Sequence, residues 1–261
     1  MAHDYLHAVR DFELAHALRF LPGPVTAGRP TRVLDVGAGT GRQAACLATL
    51  GYAVTAVDLP SSSYAAAREF PVIDYDGRHL PLPDGAVEVV FSSNVLEHVT
   101  AIAELLAETR RVLVPGGCAV HLLPTPAWRA WTTLTHYPVI WASALRQLAG
   151  ARRGAFGPGP GGSRPRRRLA QLRELAWPSR HGERGGTLSE AWYFSSRFWR
   201  GVFEAADFEL VHSEAVGLFY TGSMCCAERL PLARREQLAG WLGSACRLYM
   251  LRAKPARTLP P

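Results

Sequence analysis

The sequence is poor in cysteine and has no long apolar run. Its five Cys residues form no Cys-x-x-Cys pair, so no zinc site and no disulfide framework can be read from them. No stretch of 18 apolar residues occurs, and the sequence therefore predicts no membrane span. The N-terminal segment carries acids and His where a secretory signal has a basic tip and an apolar run. From these absences we expect a cytoplasmic protein in a reducing compartment, without a metal site.

Lysine is almost absent, since Lys254 is the single Lys among 29 basic residues in a chain of net charge +7. The window from Arg146 to Arg184 holds ten Arg and two Glu, which gives +8 and leaves −1 for the rest of the chain. Its densest part, 164–168, has three open interpretations: a solvated charge run, a contact for anionic lipid or a phosphate-bearing acceptor, or a nucleic-acid contact. Nucleic acid is the least favoured partner, because no nucleic-acid module accompanies the run.

The remaining composition is that of a packed protein, with 48% hydrophobic and 20% charged residues. Short apolar segments alternate with helical ones, which predicts an α/β fold with a doubly wound, mostly parallel, seven-stranded sheet. The predicted strands are 32–36, 53–58, 71–74, 86–92, 118–123, 208–214 and 246–253. The predicted helices are 1–21, a helix that ends at residue 50, 61–70, 101–113, 195–206 and 232–242.

A glycine-rich turn follows the first predicted strand, in VLDVGAGTG (33–41). Glycines let the backbone approach a ligand and adopt positive φ. The spacing is G-x-G-x-G, which differs from the dinucleotide pattern G-x-G-x-x-G, and the Gly-Lys-Ser/Thr of a phosphate-binding loop is absent. Asp58 closes the next strand, where a carboxylate can accept hydrogen bonds from both ribose hydroxyls. The alternative for Asp58 is a strand-end or helix-capping role.

Together these motifs resemble the class I S-adenosylmethionine (SAM) dependent methyltransferases, whose sheet is Rossmann-like. The segments that carry the resemblance are VLDVGAGTG, AVDLP (56–60), DYDGRHLPLPDGAVEVVFSSNVLEHV (74–99), RVLVPGGCAV (111–120) and FWRGVFEAADFELV (198–211). The resemblance is close over 32–124 and looser over 190–253. It is strongest to the branch that methylates small molecules, lipids and glycans, and it implies SAM as the cofactor.

The resemblance also implies a set of cofactor-binding residues. They are Asp35, Gly37, Ala38, Gly39, Gly41, Asp58, Leu59, Asp76, Gly77, Asn94 and Val95. The glycines would pass under the methionine part of SAM, Asp35 would orient its ammonium group, and Asp58 would hold the ribose. Leu59 would pack on the adenine and Asp76 would contact its amino group, although a plain Asp-Gly turn is the alternative for Asp76. Asn94 would line the cofactor beside Val95, with a helix cap as its alternative.

The family has no universal catalytic residue, so none is assigned from the sequence. A hydroxyl acceptor usually needs a base, and our hypothesis is that His136 or His181, both in the insertion, supplies it. His98 lies in the Leu-Glu-His-Val segment, where a structural role at a helix start is favoured.

The resemblance divides the chain into four parts. They are an N-terminal helix and linker (1–30), the SAM-binding half (31–124), an insertion with a Gly/Pro/Arg-rich loop (125–190), and the C-terminal half (191–261). The insertion follows the fifth strand at the carboxyl end of the sheet, which suits a lid or an acceptor-binding element. Its apolar segment with Trp141, Leu145 and Leu148 is either a lid helix or a helix that lies on the inner membrane surface, beside anionic lipid. The aromatic segment 192–194 is either an acceptor-pocket wall or core.

We therefore expect a SAM-dependent methyltransferase with a small-molecule, glycan or lipid-linked acceptor that carries a hydroxyl. One alternative is an RNA methyltransferase that uses the Arg-rich insertion. A second is a non-catalytic scaffold with the same fold, which the intact glycines and Asp58 argue against. A third is a SAM-using aminopropyl transferase, for which no acidic polyamine site is visible.

Overall fold

The computed structural model describes residues 2–26, 28–138, 180–222 and 229–255. A two-stranded ribbon, β1 and β2, precedes the main sheet, and the sequence did not predict it. The strands are β1 Val25–Thr26, β2 Arg29–Pro30, β3 Arg32–Val36, β4 Ala53–Asp58, β5 Val72–Asp74, β6 Val87–Ser93, β7 Leu113–Pro124, β8 Phe208–Ala215 and β9 Cys246–Ala253.

The seven strands after the ribbon form one sheet in the order β5-β4-β3-β6-β7-β9-β8. The first five are parallel, and β9 runs antiparallel to both of its neighbours. The chain adds β4 and β5 on one side of β3 and then crosses to add β6 on the other side. Ligands bind at the carboxyl ends of the strands where such an order reverses. The predicted fold class is confirmed.

Helices cover both faces of the sheet. They are α1 Ala2–Ala17, α2 Arg42–Thr49, α3 Ile102–Val112, α4 over residues 126–138, α5 Glu190–Tyr193, α6 Ser196–Ala205 and α7 Leu232–Leu242. One core joins α1 and α2 to strand residues such as Val33, and the other joins α3 and α6 to residues such as Leu34. Successive strand side chains point to opposite faces, so neighbouring residues of β3 supply the two cores.

Two elements differ from the prediction. The helix predicted over 61–70 is only a 3₁₀ turn, Ala65–Ala67, because no side chain of this segment is fully buried and an unpacked helix does not recover its nucleation cost. The strand predicted over 118–123 begins at Leu113. Pro115, Gly116 and Gly117 lie within it, at a shift of register between β6 and β7 that absorbs the extra residues.

The insertion is described at both of its ends. Residues 126–138 are helical and 180–189 lead into α5. The Gly/Pro/Arg-rich loop, the run 164–168 and the apolar segment with Trp141, Leu145 and Leu148 lie outside the described residues. Among the helices that are described, none has the length and apolar character needed to cross a bilayer.

Candidate functional site

A cavity of about 510 Å³ opens at the carboxyl ends of β3, β4 and β6. Its walls are the glycine turn after β3, the end of β4, the turn after β5 and the segment after β6, and α1 closes one side. The cavity therefore lies where the strand order reverses, which is the expected ligand position in a doubly wound sheet. Its volume is in the range of pockets that take small molecules.

The glycine turn is shaped by backbone conformations that favour glycine. Gly37, Gly39 and Gly41 have φ of 71°, 60° and 79°. A Cβ on Gly37 would lie 2.5 Å from Val95 Cγ2, whereas a Cβ on Gly39 would meet nothing closer than 3.5 Å. The turn thus needs glycine at Gly37 for packing, and at Gly39 it leaves bare backbone on the cavity wall.

Asp58 is fixed at the tip of β4 by the turn beside it. Gly39 N donates to Asp58 Oδ2 at 2.9 Å, and Leu59 N donates to Asp58 Oδ1 at 2.7 Å. Each carboxylate oxygen accepts from one backbone amide and keeps further lone-pair capacity. Because Asp58 also lines the cavity, it can accept hydrogen bonds from a vicinal diol such as a ribose.

Asp35 lies on β3 and is not in the cavity lining. Its side chain is 2% exposed, and its Oδ2 has no hydrogen-bond partner among the described residues. Burial, with the nearby Asp58 charge, raises the pKa of Asp35 to about 7. A buried carboxyl oxygen that lacks a partner is costly, and a cationic ligand group such as the SAM ammonium would offset that cost.

In the turn after β5, both oxygens of the Asp76 carboxylate already have contacts within the turn. Asp76 Oδ1 accepts from the amides of Arg78 and His79 at 2.8 and 2.7 Å, and Oδ2 lies 2.7 Å from His79 Nδ1. The bond to the His79 side chain and then the backbone bonds hold the pKa of Asp76 well below its usual range. Asp76 and Gly77 also line the cavity, so the carboxylate holds the turn and stays available at the wall.

Asn94 follows β6 with φ of 56°, a conformation that Asn tolerates. It does not cap a helix. Instead its Nδ2 lies 3.4 Å from Glu13 Oε2, and its Oδ1 accepts from Cys246 Sγ at 3.3 Å. These contacts tie the segment after β6 to α1 and β9, and Asn94 and Val95 both reach the cavity.

Of the eleven predicted cofactor-binding residues, nine line the cavity. They are Gly37, Ala38, Gly39, Asp58, Leu59, Asp76, Gly77, Asn94 and Val95. The other two are not in the lining: Asp35 lies on its strand, and Gly41 lies at the N-terminus of α2. The individual contact of each residue with SAM stays a prediction.

The sequence analysis did not assign a site role to α1. Leu6, His7 and Arg10 lie on one face of this helix and line the cavity. Arg10 Nη1 is 2.5 Å from Glu13 Oε2, and the fully buried Glu13 also accepts from Tyr220 Oη at 2.6 Å. Burial opposes the charge of Arg10, but the Glu13 carboxylate raises its pKa. The signal in the sequence was the i, i+3 and i+4 spacing of these residues.

His181, one of the two candidate bases, meets His98 at the far end of the cavity. His98 and His181 both line it, and their ring centroids are 4.7 Å apart. Burial lowers the pKa of both imidazoles, that of His181 to about 4 with His98 as the second cause. His136 packs edge-on against Tyr137 and is not in the lining.

Glu97 lies beside this histidine pair and is a residue that the sequence analysis missed. It is 2% exposed, and neither carboxylate oxygen has a hydrogen-bond partner among the described residues. Burial raises the pKa of Glu97 to about 8. Glu97 Oε1 is 3.8 Å from His98 Nε2. An acid next to a His in Leu-Glu-His-Val was the available signal, but the sequence does not show that its side chain is buried.

A buried carboxylate holds the segment that carries His181. Glu190 Oε1 accepts from the amides of His181 and Gly182, each at 2.6 Å. The next residue, Glu183, donates its backbone N–H to Glu97 O at 2.9 Å. The segment is thereby fastened to the turn after β6, and the imidazole of His181 is held at the end of the cavity.

The same carboxylate connects this segment to the other end of the insertion. Arg129 from α4 places its Nε 3.1 Å from Glu190 Oε2 and donates to Thr187 O. Both members of the Arg129–Glu190 pair are buried. The two ends of the insertion are therefore joined beside the cavity.

The aromatic segment before α6 does not form the cavity wall. None of Trp192, Tyr193 and Phe194 is among the lining residues, Trp192 is 52% exposed, and Phe194 is 2% exposed within the core. Phe194 packs instead beside Trp128 and His181. The core interpretation of Phe194 therefore holds, and its packing supports the histidine pair from behind.

The sheet order and the glycine turn facing Asp58 are the arrangement expected of a class I SAM-dependent methyltransferase. Comparison with known families agrees, because residues 34–121 match the family described as "Methyltransferase domain". All eleven predicted cofactor-binding residues fall within this match. Residues 34–121, about a third of the chain, therefore resemble that family, and the lining of the cavity fits SAM as a cofactor. A buried orphan oxygen on Asp35 and the bare turn at Gly39 are the features that fit SAM.

Parts of the chain are similar to curated proteins. The chain is 34% identical over 133 residues to the biotin biosynthesis bifunctional protein BioHC of Cellvibrio japonicus, covering 47% of this chain and 26% of that protein. It is 40% identical over 97 residues to the malonyl-[acyl-carrier protein] O-methyltransferase of Geobacter sulfurreducens, covering 34% and 36%. The chain thus spans well under half the length of these curated relatives.

A solved SAM-dependent methyltransferase from Mesorhizobium loti matches with a TM-score of 0.54 at 19% identity, over 92% of this chain and 97% of that one. At this identity the likeness shows the fold alone.

Proposed function

We propose that this chain transfers a methyl group from SAM to an oxygen atom of a small-molecule, glycan or lipid-linked acceptor. The observation that carries the proposal is one cavity that joins the Asp58 end to the His98–His181 pair. SAM supplies an activated methyl group when it is bound. The residues of the chain then have to hold the cofactor, align the acceptor and exclude water.

The cofactor end of the cavity is the part between the glycine turn and Asp76. Asp58 would hold the ribose, Leu59 and Gly77 would border the adenine, and Asp35 would face the ammonium group. These residues come from the ends of three adjacent parallel strands, so their positions depend on the sheet register. A rigid sheet is a precise support for a ligand site.

The acceptor end is the part lined by His98 and His181. Both imidazoles have a lowered pKa, so they are neutral at pH 7 and have a free lone pair. Such groups suit an acceptor whose reactive atom carries a proton, which favours a hydroxyl. The relatives named as malonyl-[acyl-carrier protein] O-methyltransferases act on an oxygen atom according to their names, which also supports an oxygen acceptor here.

The test uses incubation of the purified protein with labelled SAM and extracts that contain hydroxylated metabolites, lipids and glycans. We expect label in an O-methyl product. With that acceptor, His98→Ala and His181→Ala should each lower kcat at least tenfold and leave the SAM affinity within about twofold. His136→Ala is the matched control, since its imidazole lies outside the cavity lining. Label that appears only on nitrogen or on RNA would refute the oxygen acceptor.

A further inference from the structure

We propose that Glu97, His98 and His181 form a binding site for one divalent transition-metal ion, such as Zn²⁺, at the acceptor end of the cavity. One ligand atom from each residue lies within 4.8 Å of the others, a grouping that is the only one of its kind among the described residues. Two imidazole nitrogens and one carboxylate oxygen are a recognised ligand set for zinc and for other first-row divalent ions. The sequence analysis expected no metal site.

The first support is the state of the Glu97 carboxylate. It is buried, and both oxygens lack a hydrogen-bond partner among the described residues. Glu214 offers a contrast, because its Oε1 lies 2.8 Å from His16 Nε2 and its Oε2 lies 3.1 Å from His212 Nε2. Glu214 thus has an imidazole nitrogen close to each oxygen, whereas Glu97 does not. A buried carboxyl group without a partner ionises only at a cost, and a bound cation would offset that cost.

The second support is the distance that the ligands have to move. Metal bonds of about 2.0–2.2 Å place tetrahedral ligand atoms about 3.5 Å apart. Glu97 Oε1 and His98 Nε2 are already 3.8 Å apart. The His98 side chain is 41% exposed, so its ring has room to rotate towards the buried carboxylate. The site can close through side-chain rotation, without a change in the backbone.

The third support is the rigidity of the backbone that carries the ligands. The amide of Glu183 donates to Glu97 O, and the Glu190 carboxylate holds the amide of His181. Arg184 Nη2 also donates to the carbonyl oxygen of residue 99 at 2.6 Å, which fastens the turn that contains Glu97. Hydrogen bonds thus connect the segment that carries His181 to the turn that carries Glu97 and His98. Such preorganisation is what a metal site requires.

Two arginines near the cluster do not oppose a cation strongly. Arg10 is paired with Glu13 and Arg129 with Glu190, so each charge is offset by its own carboxylate.

The place of the ion in the cavity suggests a catalytic role. His98 and His181 line the cavity, and a fourth coordination position would therefore face it. There the ion would bind the acceptor oxygen and lower the pKa of its hydroxyl group. With the ion bound, the two imidazoles would act as ligands instead of as a base, and the acceptor proton would pass to solvent. This catalytic role rests on the proposed function, but metal binding does not.

The experiment is calorimetry of the untagged, chelator-stripped protein with ZnCl₂. We expect one zinc per chain, bound at least tenfold more tightly than Mg²⁺, which prefers oxygen ligands. Glu97→Gln, His98→Gln and His181→Gln should each weaken zinc at least tenfold. His212→Gln is the matched control and should bind zinc like the wild type. Co²⁺ in place of zinc should give visible absorption bands in the wild type that are lost in His181→Gln.

Titration of SAM into the same samples separates the two proposals. Variants that still bind SAM are folded, so their loss of zinc is specific to the site. A wild type that binds SAM but no zinc, or variants that keep wild-type zinc affinity, would overturn the metal site and leave the methyltransferase proposal standing. Zinc binding without methyl transfer to any oxygen acceptor would contradict the proposed oxygen acceptor and leave the metal site standing.

Discussion

The two ends of the cavity are built in different ways. The cofactor end comes from short contiguous motifs at the tips of neighbouring parallel strands, and most of the nine predicted lining residues lie there. The acceptor end comes from the turn at 96–98, from α4 and from the segment 180–190, which the chain brings together over a long insertion. Local sequence motifs therefore predict the cofactor end, but they do not predict the acceptor end. Variants at each end should therefore fail in different ways.

The largest expected effect is at the Glu190 carboxylate of the acceptor end. Glu190→Ala removes the acceptor of two backbone amides and leaves Arg129 buried without its carboxylate. Because loss of one partner from a buried pair is costly, the free energy of unfolding should fall by about 3–5 kcal/mol. Urea melts measure this loss, and SAM calorimetry at low temperature should still show cofactor binding.

The control for Glu190 is Glu183→Ala on the same segment. The Glu183 side chain is 38% exposed and pairs with the exposed Arg180, so its loss should cost under about 1 kcal/mol. Equal losses for the two variants would mean that Glu190 has no special role. A loss of SAM binding in folded Glu190→Ala would mean that SAM binding at the cofactor end depends on the structure of the acceptor end.

A second effect follows from the raised pKa of Asp35. Burial raises this pKa from 3.8 to about 7, so the folded protein retains a proton that the unfolded chain releases. Stability from this group is complete below about pH 4 and is lost as the pH rises towards 7, by about 4 kcal/mol in total. Asp35→Asn cannot titrate and should lack this loss, which urea melts across the same pH range measure.

SAM should oppose this loss of stability with rising pH, because a cationic ligand favours the ionised carboxyl group of Asp35. The SAM affinity of the wild type should weaken as the pH falls below 7, and Asp35→Asn should show a flatter profile. Parallel profiles for wild type and variant would remove Asp35 from the cofactor end.

A third effect concerns the ribose contact. The wild type should bind SAM with micromolar affinity, and Asp58→Ala should weaken it about a hundredfold, or roughly 2.8 kcal/mol. The matched control is Asp74→Asn, since Asp74 is the register partner of Asp58 on β5 but pairs with Arg68 and is not in the cavity lining. Calorimetry with SAM compares the two, and equal affinities would contradict the role of Asp58.

The smallest effect distinguishes the two glycines of the turn. In Gly37→Ala the new Cβ would meet Val95, whereas in Gly39→Ala it would meet no close neighbour. Both variants carry the strain of positive φ, but only Gly37→Ala adds a clash. A double-mutant cycle with Val95→Ala should give a coupling of about 1 kcal/mol for Gly37 and none for Gly39. Thermal unfolding without SAM measures both couplings.

The strands and the cofactor end were largely predictable because their signals are local. Strand periodicity and the spacing of Gly37, Gly39 and Asp58 depend on a few neighbouring residues. The helix predicted at 61–70 was wrong because local propensity does not report whether a face becomes buried. Glu97 was missed for the same reason, since an acid before a His looks like an ordinary helix-start pair.

By itself the sequence determined the fold class and the alternation of strands and helices, because these follow from short-range pattern and from the fixed geometry of a parallel sheet. It also predicted which residues a sulfonium nucleoside would contact, and that prediction awaits its test. Only the tertiary structure decided which histidines share a cavity, that a carboxylate lies unpartnered beside them, and that α1 forms a wall. Such contacts join residues far apart along the chain, and burial is a property of the packed molecule rather than of any segment.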